Sequence, residues 1–566
     1  MERTDTSRAV PRNLGPPGSR AATDGNAGAA APGVPAAALA GLVSAGVALG
    51  AGELIAGVDD GLASPVEAVA GEVINRVPRS VERFAIETFG SNDKIALVVG
   101  ILAFSAVFGI VLGVLSRRRP SVGALALAAF AAVGVLASAA GPQAPLTAGV
   151  PSVIAGLAGV LCLRSLVARA PGRGPSRQTT PNDLAAEAAP LPSPAAMPVR
   201  GGVASRRAFL GMTAAVAAAG ALAAAGGRAL RSRFSAAESR ANVVLPAAAR
   251  PGPPLPPAAT DVEVGVPGVA PFVTPNADFY RVDTALVVPQ VRAEDWVLSV
   301  TGMVDEPFEL TFDELLDRGL IEADITMTCI SNPVGGDLIG HARWLGVLTR
   351  ELLDEARPRG GADQLVGRSV DGYTCGFPLS AAYDRDCIVA VGMNGEPLPL
   401  KHGFPARLVT PGLYGYIGST KWLTELEVTT FDAFDQYWVP RGYAAQAPIK
   451  TMSRIDTPRS LERVQAGRVV VAGVAWAQTR GIEAVELRID DGPFRPAQLA
   501  EAVSDDTWRQ WRYDWDATPG RHTLTVRATD GTGGLQAEQR AEILPDGASG
   551  WMSLVVVVDE PGGGPS

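Results

Sequence analysis

Two stretches of the chain carry residue types that could do chemistry. The first is Thr328-Cys329-Ile330-Ser331-Asn332, ahead of a Gly335-Gly336 turn. A cysteine thiolate is a nucleophile and a soft metal ligand. Here it follows an apolar–polar alternation that reads as a strand, so it stands on a loop with a rigid base. A lone cysteine is more often a small buried hydrophobe. Cys375 and Cys387 raise the count in this half to three, so at least one free thiol is expected in an oxidising compartment. The second stretch is Lys401-His402-Gly403-Phe404-Pro405-Ala406-Arg407, followed by Pro411-Gly412-Leu413-Tyr414-Gly415 and Gly418-Ser419-Thr420-Lys421-Trp422. An imidazole, a guanidinium and an ammonium in one Gly/Pro-rich run suit an anionic ligand bearing a phosphate and a ring system. A solvated basic loop in an acidic domain is the other reading.

The elements that must position these groups follow from periodicity. Between about Thr274 and Asp432 strand and helix signals alternate, an α+β pattern. Trp296–Thr301 alternates as a strand, and Thr311-Phe312-Asp313-Glu314 is a capping box opening a helix through Arg318. Cys387–Val391 and Pro397–Leu400 flank Met393-Asn394-Gly395-Glu396, an Asn-Gly hairpin signal. After about Lys450 the pattern shifts to short strands: Arg468–Trp476, Ala484–Ile489, Trp508–Trp515, His522–Ala528 and Met552–Val558. Strands at this spacing predict an immunoglobulin-like β-sandwich.

The remainder of the chain is of another kind. Three apolar runs, Lys94–Leu115, Ser121–Ala140 and Leu146–Val167, are long enough for a bilayer, and Pro35–Val58 and Phe209–Leu230 add two Ala/Gly-rich ones. An α-helical membrane region of about five spans is therefore expected. Arginines at 3, 8, 12 and 20, at 117–119, and between 164 and 207 mark cytoplasmic segments, which leaves everything after Arg240 extracytoplasmic. Ser205-Arg206-Arg207-Ala208-Phe209-Leu210 resembles a twin-arginine export signal, though positive-inside flanking accounts for it too. Charge divides the same way: 22 basic and 14 acidic residues lie in 1–240, but 27 and 44 in 241–566. So acidic a second half speaks against nucleic acid. The three histidines, at 341, 402 and 522, exclude a His-rich metal site, and none lies in a span, so a transmembrane bis-imidazole haem is not expected. Four cysteines in 566 residues exclude a disulfide scaffold. The expected order is a disordered cytoplasmic tail (1–34), four spans (35–168), a cytoplasmic linker (169–204), the twin-arginine-like motif with a fifth span (205–232), a Pro/Ala-rich tether (233–272), an α+β domain (273–447) and the sandwich (448–560).

Taken together, Cys329-x-x-Asn332, Met393-Asn394-Gly395-Glu396-Pro397-Leu398, His402-Gly403-Phe404-Pro405-x-Arg407 and Lys421-Trp422 resemble the sulfite-oxidase family of molybdopterin oxidoreductases. Thr274-Pro275-Asn276 with Phe279-Tyr280-Arg281 resembles the opening of that family's catalytic domain, and the sandwich is similar to its molybdenum-cofactor dimerisation domain. The resemblance runs from about Thr274 to Asp559 and leaves the membrane half outside. It implies a molybdenum-molybdopterin cofactor whose metal takes Cys329 as thiolate ligand. It also implies that Asn276, Tyr280, Arg281, Asn332, His402, Arg407, Ser419, Thr420 and Lys421 hold the pterin and its phosphate, with Thr374 a weaker match. Tyr443 falls where the family places an active-site tyrosine; an aromatic packed between domains reads equally well. Family members that oxidise sulfite carry two arginines directly after Cys-x-x-Asn, where this chain has Pro333 and Val334. Arg281, Arg343 and Arg454 are candidates to compensate.

The resemblance implies oxygen-atom transfer at an outward-facing, membrane-anchored molybdenum centre, with sulfite oxidation as the leading activity and reduction of an S-oxide or N-oxide as the alternative. A separate redox partner, cytochrome or quinone-linked, is expected, and the sandwich implies a homodimer. A metal-free membrane binding or sensory protein is the reading from another class, and Cys329 beside the pterin-matching set argues against it. Spans almost free of charge argue against a transporter.

Overall fold

The computed structural model describes residues 32–59, 61–78, 81, 84–85, 88–89, 93–140, 145–171, 205–255 and 260–560. Most of the expected cytoplasmic tail and linker lies outside them. Five helices are long and apolar enough to cross a membrane: Val34–Ala56, Asp93–Ser116, Pro120–Ala139, Val150–Arg169 and Arg206–Arg231. Each agrees with a predicted run to within a few residues. At 1.5 Å per residue the shortest reaches about 30 Å, the thickness of the hydrocarbon layer.

By contacts the chain divides into two compact units. The first comprises residues 1–48, 103–130 and 156–221. Its core joins Ala40, Val43, Leu112, Leu127, Leu163, Leu166 and Phe209. Close helix approach here depends on Gly109-x-x-x-Gly113 facing Gly41. A Cβ on Gly41 would lie 1.9 Å from the Gly109 carbonyl oxygen and 2.7 Å from the Gly113 nitrogen. Small residues at this spacing let helix backbones touch in a lipid environment.

The second unit comprises residues 49–102, 131–155 and 222–566, and holds both chemical stretches. Its first part is built from β1 (Val297–Gly302), β2 (Phe308–Thr311), β3 (Ile321–Thr328), β4 (Ile339–Leu348), β5 (Gln364–Ser369), β6 (Thr374–Pro378), β7 (Ile388–Met393), β8 (Glu396–Pro397), β9 (Arg407–Val409), β10 (Ser419–Thr420) and β11 (Leu423–Thr429). One sheet runs β2-β1-β11-β5-β6 and the other β10-β9-β7-β4-β3, with β8 paired to β7. Side chains from both sheets, including Leu298, Trp344, Val366, Ile388 and Leu408, are fully buried. The predicted capping box forms: Thr311 accepts from Glu314 N–H and Glu314 returns the bond. Its helix stops at Leu316, two residues short of the expected Arg318. The Asn-Gly turn also forms, with positive φ at Asn394 (53°) and Gly395 (82°). The strand after it covers only Glu396–Pro397, because Leu400–His402 turns into a 3₁₀ segment.

Within the predicted tether the chain is tied to the first part. Arg250 bridges to Ile321, Gly252 N–H donates to Glu322, and Arg240 reaches Leu398 O and Glu396. Polar bonds hold what its Pro/Ala composition does not specify.

The last part has two sheets on one core. β12 (Met452–Thr457), β14 (Gly467–Trp476), β17 (Gln498–Leu499) and β18 (Arg509–Ala517) form one. β13 (Arg463–Gln465), β15 (Ile482–Ile489), β16 (Arg495–Pro496), β19 (Gly520–Asp530) and β20 (Met552–Asp559) form the other. All five predicted strands are present. Those missed, β12, β13, β16 and β17, are short or carry few alternating apolar residues. Val471, Trp511, Leu524, Val526 and Val556 fill the interior. This part also seals the exposed edge of β3: Thr326 N–H donates to Asp506 O at 3.0 Å, and Trp508 N–H to Thr326 Oγ1 at 2.8 Å. Covering a free strand edge prevents unwanted pairing.

Candidate active site

Cys329 follows the last residue of β3 and is 8% exposed, at the wall of a cavity of about 540 Å³. Its thiol is buried rather than presented on an open loop. The Ser331 N–H points at Sγ from 3.4 Å. Burial pushes the thiol pKa up, against that N–H and the ammonium of Lys421. Tyr280, His402, Arg407, Ser419, Lys421 and Tyr443 line the same cavity. Strand ends and the turns between them bring these together from positions 280 to 443. Tyr443 packs edge-on against Trp438 and tilted against Tyr416, so it is both cavity wall and packed aromatic.

Arg407, at the start of β9, carries the most information. It is fully enclosed, its ring neighbour is Trp344 at 5.0 Å, and its amino groups donate to His402 O, Ser419 Oγ and the Met327 sulfur. Nε has no acceptor, and no carboxylate among the described residues pairs with the guanidinium. Burial pushes it down to about 10. A buried cation without its anion is costly unless a ligand supplies one. Lys421 repeats the theme: burial pushes its ammonium down to about 8, against the pull of Asp283 2.8 Å away. Phe279 stacks on Tyr280 at 5.3 Å and meets His402 edge-on, while His402 Nε2 bonds Asn276 O. Burial, then Arg407 beside it, pushes His402 down to about 3, so it is neutral at pH 7.

Other predicted residues stand behind the wall. Asn276 braces the Asn-Gly turn through Met393 O, Glu396 and Asn394. Asn332 closes the cysteine loop by accepting from Leu338 N–H. Thr374 accepts from Tyr437 N–H, and Thr420 donates to Gly367 O. Arg281 is exposed and paired with Asp283. Arg343 is engaged by Asp324 and Glu322, and Arg454 by Asp456 and Gly336 O. Neither lines the cavity. Cys375 and Cys387 are both free thiols, each fully buried, and do not pair.

Asp283 was not singled out by sequence, yet it joins the site. Burial alone would raise its carboxyl, but Lys421, Arg281 and Lys94 outweigh that and hold it well below the usual carboxylate range. Only its place two residues after Arg281 hinted at it.

His341, also buried, gives a pH dependence. Burial, then Arg343, pushes it down to about 3; Nδ1 meets Thr326 Oγ1 at 3.1 Å, and Nε2 makes no hydrogen bond among the described residues, with Asp324 Oδ1 3.9 Å away. Between pH 6.5 and about 3 the unfolded chain binds the proton that the folded chain refuses, so stability falls as pH falls through that window. Thermal midpoints measured from pH 7 to 4 should drop less steeply in His341→Gln than in the parent.

The chemistry of this donor set suits a molybdopterin cofactor. Among the described residues no group of three His, Cys, Asp or Glu could hold a metal ion, so a metal at Cys329 takes its other ligands from a bound group. The anion that Arg407 lacks fits a phosphate or a dithiolene. Comparison with known proteins agrees. Residues 285–438 match the family model of the oxidoreductase molybdopterin binding domain. Human mitochondrial sulfite oxidase is 26% identical over 324 residues, covering 48% of this chain and 58% of that protein. An inducible NADH nitrate reductase of Glycine max is 33% identical over 194 residues, covering 29% of this chain and 22% of that protein. The chain thus spans less than two thirds of these relatives. The sulfane dehydrogenase SoxCD of Paracoccus pantotrophus overlaps 51% of this chain and 84% of its own at 21% identity, with a TM-score of 0.45. The five long apolar helices lie outside the family match. Residues 285–438 thus form an oxidoreductase molybdopterin binding domain, similar in sequence to that of sulfite oxidases.

Proposed function

We propose that this protein is a membrane-anchored oxygen-atom transferase working at a molybdenum centre on the extracytoplasmic side. The observation that carries the reading is Arg407, a buried guanidinium with an orphan Nε and no carboxylate partner among the described residues, on the same cavity as the Cys329 thiol. In this reading Cys329 holds the metal. Tyr280, His402, Arg407, Ser419 and Lys421 receive the pterin and its phosphate. Asn276, Asn332, Thr374 and Thr420 fix the loops behind them. When bound, the cofactor supplies the two-electron change and the oxygen atom. The chain's own groups orient it, balance its charge and exclude water. Tyr443 is assigned to the substrate side, while Arg281, off the cavity wall, bears on the site through its ion pair with Asp283. The anchor is the five-span region, and the final part is an immunoglobulin-like sandwich that supports a homodimer. Electrons pass to a separate redox partner, cytochrome or quinone-linked.

Sulfite oxidation is the first activity to test, by kinship with the human enzyme. Reduction of a neutral S-oxide is a second reading with an observation in its favour. Pro333 and Val334 replace the expected arginines, and Arg343 and Arg454 are engaged elsewhere, so none of these four positions brings a charge to the cavity wall. Detergent-purified full-length protein should contain about one molybdenum and one pterin per chain, read by elemental analysis and by fluorescence of the oxidised pterin. Sulfite-dependent reduction of an electron acceptor supports the first reading, and sulfoxide-dependent oxidation of a reduced dye the second. Protein made with intact export in a cofactor-competent host yet lacking both metal and pterin refutes the assignment.

A further inference from the structure

The cavity at Cys329 is not walled by the catalytic part alone. Val73, Asn75, Arg76 and Val77, from the end of helix Pro65–Arg76, and Lys94 and Leu97, from the first turn of helix Asp93–Ser116, line it as well. All belong to the same compact unit as Cys329. Two ties hold this wall. Lys94 Nζ donates to Asp283 Oδ1 at 2.8 Å, Asp283 O at 2.8 Å and Ala285 O at 2.6 Å, which engages all three ammonium protons. Asn75 Oδ1 accepts from the Tyr437 hydroxyl at 2.8 Å, and Arg441, stacked 3.7 Å over the Tyr437 ring, donates to Asn75 O at 3.5 Å.

Asp283 makes the first tie more than an anchor. Its Oδ1 takes Lys94, while Oδ2 takes Lys421 at 2.8 Å and Arg281 at 2.7 Å. One carboxylate, 5% exposed, thus stands among three cations, and among the described residues two of the positive charges have no carboxylate of their own. That surplus, on the cofactor side, complements a phosphate dianion. Divided among three donors, the carboxylate cannot close on Lys421 alone, and the ammonium stays available to a ligand.

We infer that the extracytoplasmic end of the membrane region is a working wall of the catalytic site, in which Lys94 is a positioning residue that acts through Asp283 to set Lys421 against the cofactor anion. This rests on the molybdopterin reading above. It gives the second span a role beyond anchoring, and it explains a lysine at the first turn of a helix, where a negative side chain would suit the helix dipole better.

The test uses the full-length protein in detergent and four variants: Lys94→Met, Lys94→Arg, Asp283→Asn and the Lys94→Met/Asp283→Asn pair. Pterin remaining after extended dialysis should fall about fivefold in Lys94→Met. It should recover in Lys94→Arg, and the pair should lose no more than the worse single variant, because both act through one contact. The Mo(V) electron paramagnetic resonance line of the remaining loaded fraction should shift in Lys94→Met, which a merely structural role would not cause. Should Lys94→Met fail to accumulate, Tyr437→Phe cuts the second tie without touching a charge and should raise pterin loss about twofold. Wild-type retention and an unchanged line shape in Lys94→Met would overturn the inference while a loaded wild type leaves the cofactor assignment standing. A wild type with neither molybdenum nor pterin overturns both.

Discussion

Cys329→Ala is expected to abolish turnover, by on the order of a thousandfold or about 4 kcal/mol of barrier, with the fold kept. The two halves of that expectation come from different contacts. In the protein fabric the side chain is small and buried, and its one hydrogen bond is the weak approach of the Ser331 N–H at 3.4 Å. Trimming it to Ala removes one sulfur atom at a cavity wall and should cost about 1 kcal/mol. At the metal, the change removes the only thiolate that the cavity offers, since Cys375 and Cys387 are buried away from it. X-ray absorption should report one sulfur ligand fewer, and circular dichroism should be unchanged. Full activity in the variant would sink the ligand assignment.

What could be read from the sequence depended on the range of the interaction. The apolar runs, the Thr311–Glu314 capping box and the Asn394-Gly395 turn are local devices, written in adjacent residues, and each appears as expected. Strands such as β15 and β20 alternate strongly enough to be seen. β12 and β17 owe their existence to a neighbour, Trp476 and Trp511 respectively, and carry little pattern of their own. The same division holds at the site. His402, Arg407, Ser419 and Lys421 lie within twenty residues, so their shared purpose was legible. Asp283 and Lys94 are 138 and 327 positions from Lys421 in one case and separated by 189 from each other, and no local chemistry announces the ion pairs that join them. Sequence left Cys329 open between a strand-end loop and a buried small hydrophobe, because a loop is exposed only if nothing packs over it, and what packs here comes from distant segments such as Val73–Val77 and Ser419–Lys421.

Arg407→Met should empty the site and yet leave the cofactor-free protein at least as stable. Methionine matches much of the arginine stem and would sit where Met327 and Trp344 already make an apolar lining. What disappears is a buried charge that no carboxylate among the described residues balances. Replacing buried charge by apolar volume is neutral or stabilising by about 1–4 kcal/mol in comparable sites. The cost appears only with the ligand: without the guanidinium the cofactor anion loses its charge-assisted partner, and pterin content should fall below about a tenth of wild type. Loaded wild type also gains the binding free energy, through mass action on the folded state, and the variant does not. The order of thermal midpoints therefore separates the two roles open to Arg407. A ligand-binding arginine predicts loaded wild type above the variant, and the variant equal to or above cofactor-free wild type. A structural arginine predicts the variant below both, because the bonds to His402 O and Ser419 Oγ would be lost with nothing gained.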